Sequence, residues 1–222
     1  MQMTHDAAIS DGRTQSVPDT RLWNQFGAAA GAAYVVLSLV GNSIVSGVTF
    51  DSDPTTFRVG AGLEWAGFAL LTVFIAYLYT ALSRHDDSWL PAGVLIGGIA
   101  TLALKLSTSA AWLVTATMRV GELSAEMDQT LDDIGAVGFK MTFFTFGLLL
   151  VATSASLLRS RLTARLIGWT GLILGAASMA TVNLDLDSDM SVPPFLLSLL
   201  WVIVLSIALV VRHSRRTTRS TR

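Results

Sequence analysis

Six apolar stretches, each about twenty residues or longer, occupy nearly all of the chain after its first twenty residues. An α-helix rises about 1.5 Å per residue, so twenty residues match a hydrocarbon layer of about 30 Å. Inside a bilayer every backbone N–H and C=O must be satisfied within the segment itself, which leaves helices as the solution for runs of this length. Charged residues make up 14% of the chain and apolar residues 52%, against roughly 25% charged in a soluble domain. The expected fold is therefore an all-α polytopic bundle with six transmembrane helices and no separate soluble domain.

Punctuation places the helices at about 25–48, 60–83, 89–118, 133–158, 162–183 and 192–211. Asp53-Pro54 falls in the first loop, Pro91 in the first turn of the third helix, and Pro193-Pro194 at the start of the sixth. At those positions a missing N–H costs nothing. Thr130 and Asp133 have capping-box spacing ahead of the fourth helix. Residues 1–22 read as a disordered cytoplasmic tail without the apolar core of a signal peptide, 23–212 as the membrane domain, and 213–222 as a basic cytoplasmic tail.

Orientation follows from arginine. With both termini inside, Arg13, Arg21, Arg84, Arg159, Arg161, Arg165, Arg212, Arg215, Arg216, Arg219 and Arg222 are cytoplasmic, and only Arg58 and Arg119 lie outside. Eleven against two is a strong positive-inside bias. The acids run the other way, from Asp51 and Asp53 through Glu122, Glu126, Asp128, Asp132 and Asp133 to Asp185, Asp187 and Asp189.

Against this background the charges inside the spans stand out. The chain has two lysines, Lys105 and Lys140, and both lie in apolar segments, as does Glu64. A charge near mid-bilayer costs roughly 3 kcal/mol on insertion scales and marks a site by default. Counting from the helix ends puts Glu64 and Lys140 about 6 to 10 Å below the outer surface, with Lys105 deeper. On the third helix Gly98, Thr101, Lys105, Thr108, Ser109 and Trp112 share one face. Ser38, Asn42 and Ser46 form a polar line on the first helix, and Asn183 closes the fifth. Polar residues from five helices should thus converge in the outer half, looking inward because lipid cannot solvate them.

Three readings remain open for this cluster. In the first, Glu64 pairs with Lys105 or Lys140 to fix helix register. One carboxylate cannot neutralise two lysines, and the surplus cation suits an anionic or lipidic ligand. The third reading is an intramembrane enzyme, with Glu64 as acid and a desolvated lysine as base. Binding, and in one version moving, a small anionic or lipidic ligand is preferred, with Lys105 as anion contact, Glu64 and Lys140 as charge partners, and Asn42, Thr108, Ser109 and Asn183 as polar walls. The rival is a non-catalytic membrane subunit that holds a homo- or hetero-oligomeric partner through its glycine faces, Gly27/Gly31, Gly93/Gly97 and Gly171/Gly175.

Other signals are weaker. Leu123, Met127, Leu131 and Ile134 recur at helical spacing and suggest a short amphipathic piece on the outer surface, over the cluster. Asp185, Asp187 and Asp189 alternate as in a calcium loop, but Met190 and Leu196 stand where glycine and glutamate are needed. His5, His85 and His213 are far apart, and no cysteine is present, so no metal site or catalytic triad can be assembled and no cofactor is expected. Neither a P-loop nor a dinucleotide fingerprint occurs. The arginines from Arg212 to Arg222 anchor the inner side and suit anionic membrane lipid better than nucleic acid.

The run Arg161-Leu162-Thr163-Ala164-Arg165-Leu166-Ile167-Gly168-Trp169-Thr170-Gly171-Leu172 resembles the R-x-L-G-W-x-G-L signature of six-helix membrane proteins common in high-GC Gram-positive bacteria. Glu64-Trp65-Ala66-Gly67-Phe68 and Leu104-Lys105-Leu106 are similar to other parts of that group. The resemblance implies a bacterial plasma-membrane protein, and the group has no established activity to carry over.

Overall fold

The computed structural model describes residues 20–48, 52–117, 124–183 and 192–220. The N-terminal tail and the Asp185–Asp189 alternation lie outside the described residues, apart from Thr20 onward. Six α-helices form the chain: α1 (Thr20–Val45), α2 (Pro54–Ser83), α3 (Leu90–Thr117), α4 (Ala125–Ser160), α5 (Arg165–Ala180) and α6 (Val192–Ser220), with a 3-10 turn at Thr181–Asn183 between the last two. Each contains a stretch long and apolar enough to cross a membrane, counting the 3-10 turn with α5. No strand occurs among the described residues.

Each helix packs on its neighbours in sequence, and α1 packs on α6, so the six close into a ring. Short connections make consecutive helices antiparallel. One end, here the loop end, carries the α1–α2, α3–α4 and α5–α6 connections. The other, the terminal end, carries Thr20, Ser220 and the two remaining turns.

Local chemistry explains where the boundaries differ from expectation. Helix α2 starts at Pro54 because Asp53 caps it, accepting from Thr55 N at 3.2 Å, Thr56 N at 3.0 Å and Thr56 Oγ1 at 2.6 Å. Proline at N1 adds a preset φ. Helix α4 starts at Ala125, capped by Ser124, whose hydroxyl accepts from Met127 N at 3.2 Å. The Thr130–Asp133 capping box is therefore not formed: Thr130 lies inside the helix and donates back to Glu126 O at 2.7 Å. The amphipathic piece expected at the surface is the first part of α4 itself. At 36 residues that helix is about 54 Å long, more than a 30 Å layer needs. Helix α5 begins only at Arg165, because Arg161 adopts a left-handed conformation (φ 49°) that ends α4. Helix α6 continues through Ser220, into the segment expected as a tail.

The glycine faces pack within the chain. Gly27 and Gly31 of α1 receive Tyr77 and Phe74 of α2, and Gly31 also faces Ser206 of α6. Gly93 and Gly97 of α3 lie against Ala152 and Leu149 of α4, and Gly175 of α5 meets the Gly147 carbonyl of α4. Gly171 seats Ser154 and the Trp201 indole, whose Nε1 donates to Ile167 O at 2.8 Å. In the R-x-L-G-W-x-G-L run the glycines thus mark close helix contacts, while Trp169 faces outward, 56% exposed. Trp23, Trp89 and Trp169 are all exposed near the terminal end, where a membrane interface would favour indoles.

Candidate functional site

A cavity of about 410 Å³ opens in the loop-end half between α1, α2, α3 and α4. Asn42, Val45 and Ser46 come from α1, Glu64 from α2, Lys105, Thr108, Ser109 and Trp112 from α3, and Leu131, Asp132, Gly135, Ala136 and Phe139 from α4. Four helices contribute, where five were expected. Asn183 is exposed in the 3-10 turn and Lys140 is partly buried on α4; neither lines this cavity. Asp132, not singled out in the sequence, does.

Helix contacts explain the placement of Glu64. Gly41 of α1 lies so close to α2 that a Cβ on it would stand 2.7 Å from the Gly60 carbonyl and 2.8 Å from the Glu64 amide. Only hydrogen fits there, and the approach fixes the turn of α2 that carries the carboxylate. Since α2 begins at Pro54, Glu64 is ten residues in, about 15 Å along the helix rather than the 6 Å expected. Lys105 is twelve residues from the loop end of α3, about 18 Å, so the two groups sit at similar depth.

On α3 the shared polar face behaves as its spacing demands. Thr101 is fully buried and donates to Gly97 O at 2.8 Å, and Gly98 packs on Ile75. Further along, the same face turns into the cavity. Thr108 donates to Leu104 O and Lys105 O, both at 3.0 Å, leaving its methyl toward Gly138 of α4. Trp112 stacks on Phe57, centroids 5.1 Å apart and rings inclined by 19°, and forms an aromatic wall near the mouth.

The electrostatics carry the most information. Glu64 and Lys105 both line the cavity, yet no N···O approach within 4.0 Å joins them. Among the described residues the Glu64 carboxylate accepts no hydrogen bond. The Lys105 ammonium lies over aromatic faces instead, 4.9 Å from the Phe139 centroid and 5.8 Å from that of Phe195 on α6. Such contacts offset about 0.5–2 kcal/mol of a desolvated cation's cost and leave its N–H donors able to reach a guest. The wall therefore carries one cation and two carboxylates, Glu64 and Asp132. The expected surplus of positive charge is absent from it because Lys140 lies elsewhere.

Asp132, Gly135, Ala136 and Phe139 follow i, i+3, i+4, i+7 spacing. That signal was present in the sequence and becomes legible once α4 is extended to Ala125. Phe195 had no such signal, because its place beside Lys105 comes from packing on Phe139, Phe143 and Phe146 of α4.

A second buried acid lies at the terminal end. Asp86, in the α2–α3 turn, is 6% exposed. Its Oδ2 accepts from Ser156 Oγ at 2.8 Å, its Oδ1 accepts from Ser88 N at 3.1 Å, and Arg159 Nε lies 3.4 Å from Oδ1. Burial works to raise its pKa, but the Ser88 and Ser156 hydrogen bonds and the Arg159 charge outweigh it and hold the carboxyl below its ordinary value. This group ties the turn to α4.

Among the described residues no group of three or more His, Cys, Asp or Glu side chains could hold a metal. Comparisons with protein-family models, with curated proteins and with solved structures each give no match.

Proposed function

We propose that this chain is a multi-pass protein of a bacterial plasma membrane, both termini cytoplasmic, that binds a small anionic or lipidic ligand in its outward-facing loop-end cavity. The single observation behind this reading is the opposed, unbridged pair Glu64 and Lys105. Opposite charges that serve only register close to hydrogen-bonding distance, because separation in a low dielectric forfeits the attraction that offsets desolvation. Here the two line one cavity of about 410 Å³ without closing to within 4.0 Å of one another. A guest with an anionic group on Lys105 completes that side. Glu64 and Asp132 favour a guest that also carries an ammonium, since an anion alone would face two carboxylates. Asn42 and Ser109 supply neutral hydrogen-bonding partners, and Trp112 and Phe139 supply apolar contact. Arginine asymmetry gives the sidedness: the terminal end is rich in arginine and the loop end is not.

The rival subunit reading draws less support, because the glycine faces it would use are filled by the chain's own helices. The test is native mass spectrometry of protein extracted gently from its own membrane, wild type beside Lys105→Met. An adduct of defined mass on wild type alone is expected. Equally folded proteins, both without adduct, would overturn the reading.

A further inference from the structure

Beside the polar cavity, and sharing only Thr108 with it, runs an apolar groove of about 520 Å³ between α3 and α4. Leu104, Ile134, Val137 and Met141 form most of its walls, with Ser107, Thr130 and Asp133 as its polar lining; Ile134 and Met141 are exposed on the bundle surface. What separates it from the cavity is the contact of the Thr108 methyl with Gly138. The divider is thin on the α4 side too: Gly135, one turn earlier, has open space where a side chain would stand. A mixed-charge cavity inside and an apolar channel outside, joined through one contact, match an amphiphile rather than a water-soluble solute.

We propose that the ligand is a zwitterionic amino-phospholipid that passes laterally through the α3–α4 seam at Thr108–Gly138, its headgroup reaching the cavity while an acyl chain occupies the groove. This rests on the cavity-binding reading above and names its ligand class. The phosphate goes to Lys105. The primary ammonium, with three N–H donors, goes to Glu64 and Asp132. The apolar chain passes from the bilayer into a mostly apolar groove, so extraction exposes little of it to water.

The seam can be locked. A Cβ built on Gly138 would lie 3.8 Å from Thr108 Cβ, within the range that disulfides span. The chain has no cysteine, so Thr108→Cys with Gly138→Cys introduces the only two thiols. The full-length double variant is placed in nanodiscs containing phosphatidylethanolamine with a photoactivatable acyl chain. Labelling of α3 and α4 peptides is then read in the reduced and oxidised states, with each single variant as control. Labelling of the reduced double variant sets the reference, and oxidation should lower it at least tenfold, with full recovery on reduction. Labelling unchanged by oxidation overturns lateral passage. Binding of soluble glycerophosphoethanolamine in both states, with no lipid labelling, overturns the lipid assignment while leaving a ligand cavity in place. Wild type that takes up neither probe overturns both this inference and the reading beneath it.

Discussion

Two acids, one near each end of the bundle, are treated in opposite ways. Asp86 is buried and meets Ser156, Ser88 and Arg159. Glu64 faces a cavity and accepts nothing from the described residues, and Lys105, which lines the same cavity, does not close to within 4.0 Å of it. The surroundings differ accordingly. A cavity at the terminal end has about 90 Å³ and is lined by Tyr77, Arg84, His85 and Arg212 among others, while that at the loop end has about 410 Å³. A carboxylate that the fold satisfies itself is a structural part. Under the proposed function, one that the fold positions and leaves to be satisfied takes its partner from outside the chain.

The contrast breaks most readily at Asp86. Asp86→Ala removes two hydrogen bonds to a charged acceptor and strands the Ser156 hydroxyl, so a loss of about 3 kcal/mol is expected. Reversible unfolding in mixed micelles measures it. A loss under about 1 kcal/mol would show that the turn is held by other contacts. Arg159 is 64% exposed, so its pair is screened; Arg159→Met should cost about 1 kcal/mol or less.

Trp201→Phe tests the α5–α6 contact at the terminal half. It deletes the bond to Ile167 O and leaves that site underpacked, for an expected loss of about 1–2 kcal/mol. A neutral outcome would mean that Gly171 and the ring alone hold α6.

Acid should weaken the fold at Asp86. The folded Asp86 value is depressed, so its stabilisation is complete above the unfolded value of about 3.9 and disappears as pH falls through the folded value. Wild type should therefore lose stability below about pH 4 more steeply than Asp86→Asn. Asp53, held low by its hydrogen bonds from Thr56 and Thr55, adds a smaller loss of the same sign at the start of α2. Parallel profiles for wild type and Asp86→Asn would remove Asp86 from the account of acid unfolding.

The smallest expected effect is the sharpest. Glu64→Gln should leave stability within about 0.5 kcal/mol of wild type, because no bond in the fold depends on the charge. Binding of an ammonium-bearing probe should nevertheless fall. If Glu64→Gln unfolds the protein as readily as Asp86→Asn does, both acids are structural and the cavity reading loses its footing.

Much of the site was legible because a lipid-spanning helix must hide polar groups, so the face holding Lys105, Thr108, Ser109 and Trp112 could be read from spacing alone. Asn42 and Glu64 followed on the same ground. Lys140 and Asn183 did not join them, since depth along a helix says nothing about azimuth around the ring. Asp132 was obscured by starting α4 eight residues late: Thr130 and Asp133 imitate a cap, and Ser124 supplies the one that forms. Asp86 gave no signal at all, because its partner is seventy residues away.

By itself the sequence determined six apolar helices, their antiparallel order and the side on which arginine gathers, since hydrophobic length, proline position and charge bias act locally along the chain. Tertiary structure decided which buried charges meet. The separation of Glu64 from Lys105, the aromatic faces under the ammonium and the seam at Thr108–Gly138 depend on how far each helix turns about its own axis. That rotation is set by close contacts between one helix and the next, such as Gly41 on Gly60, which neither segment encodes alone.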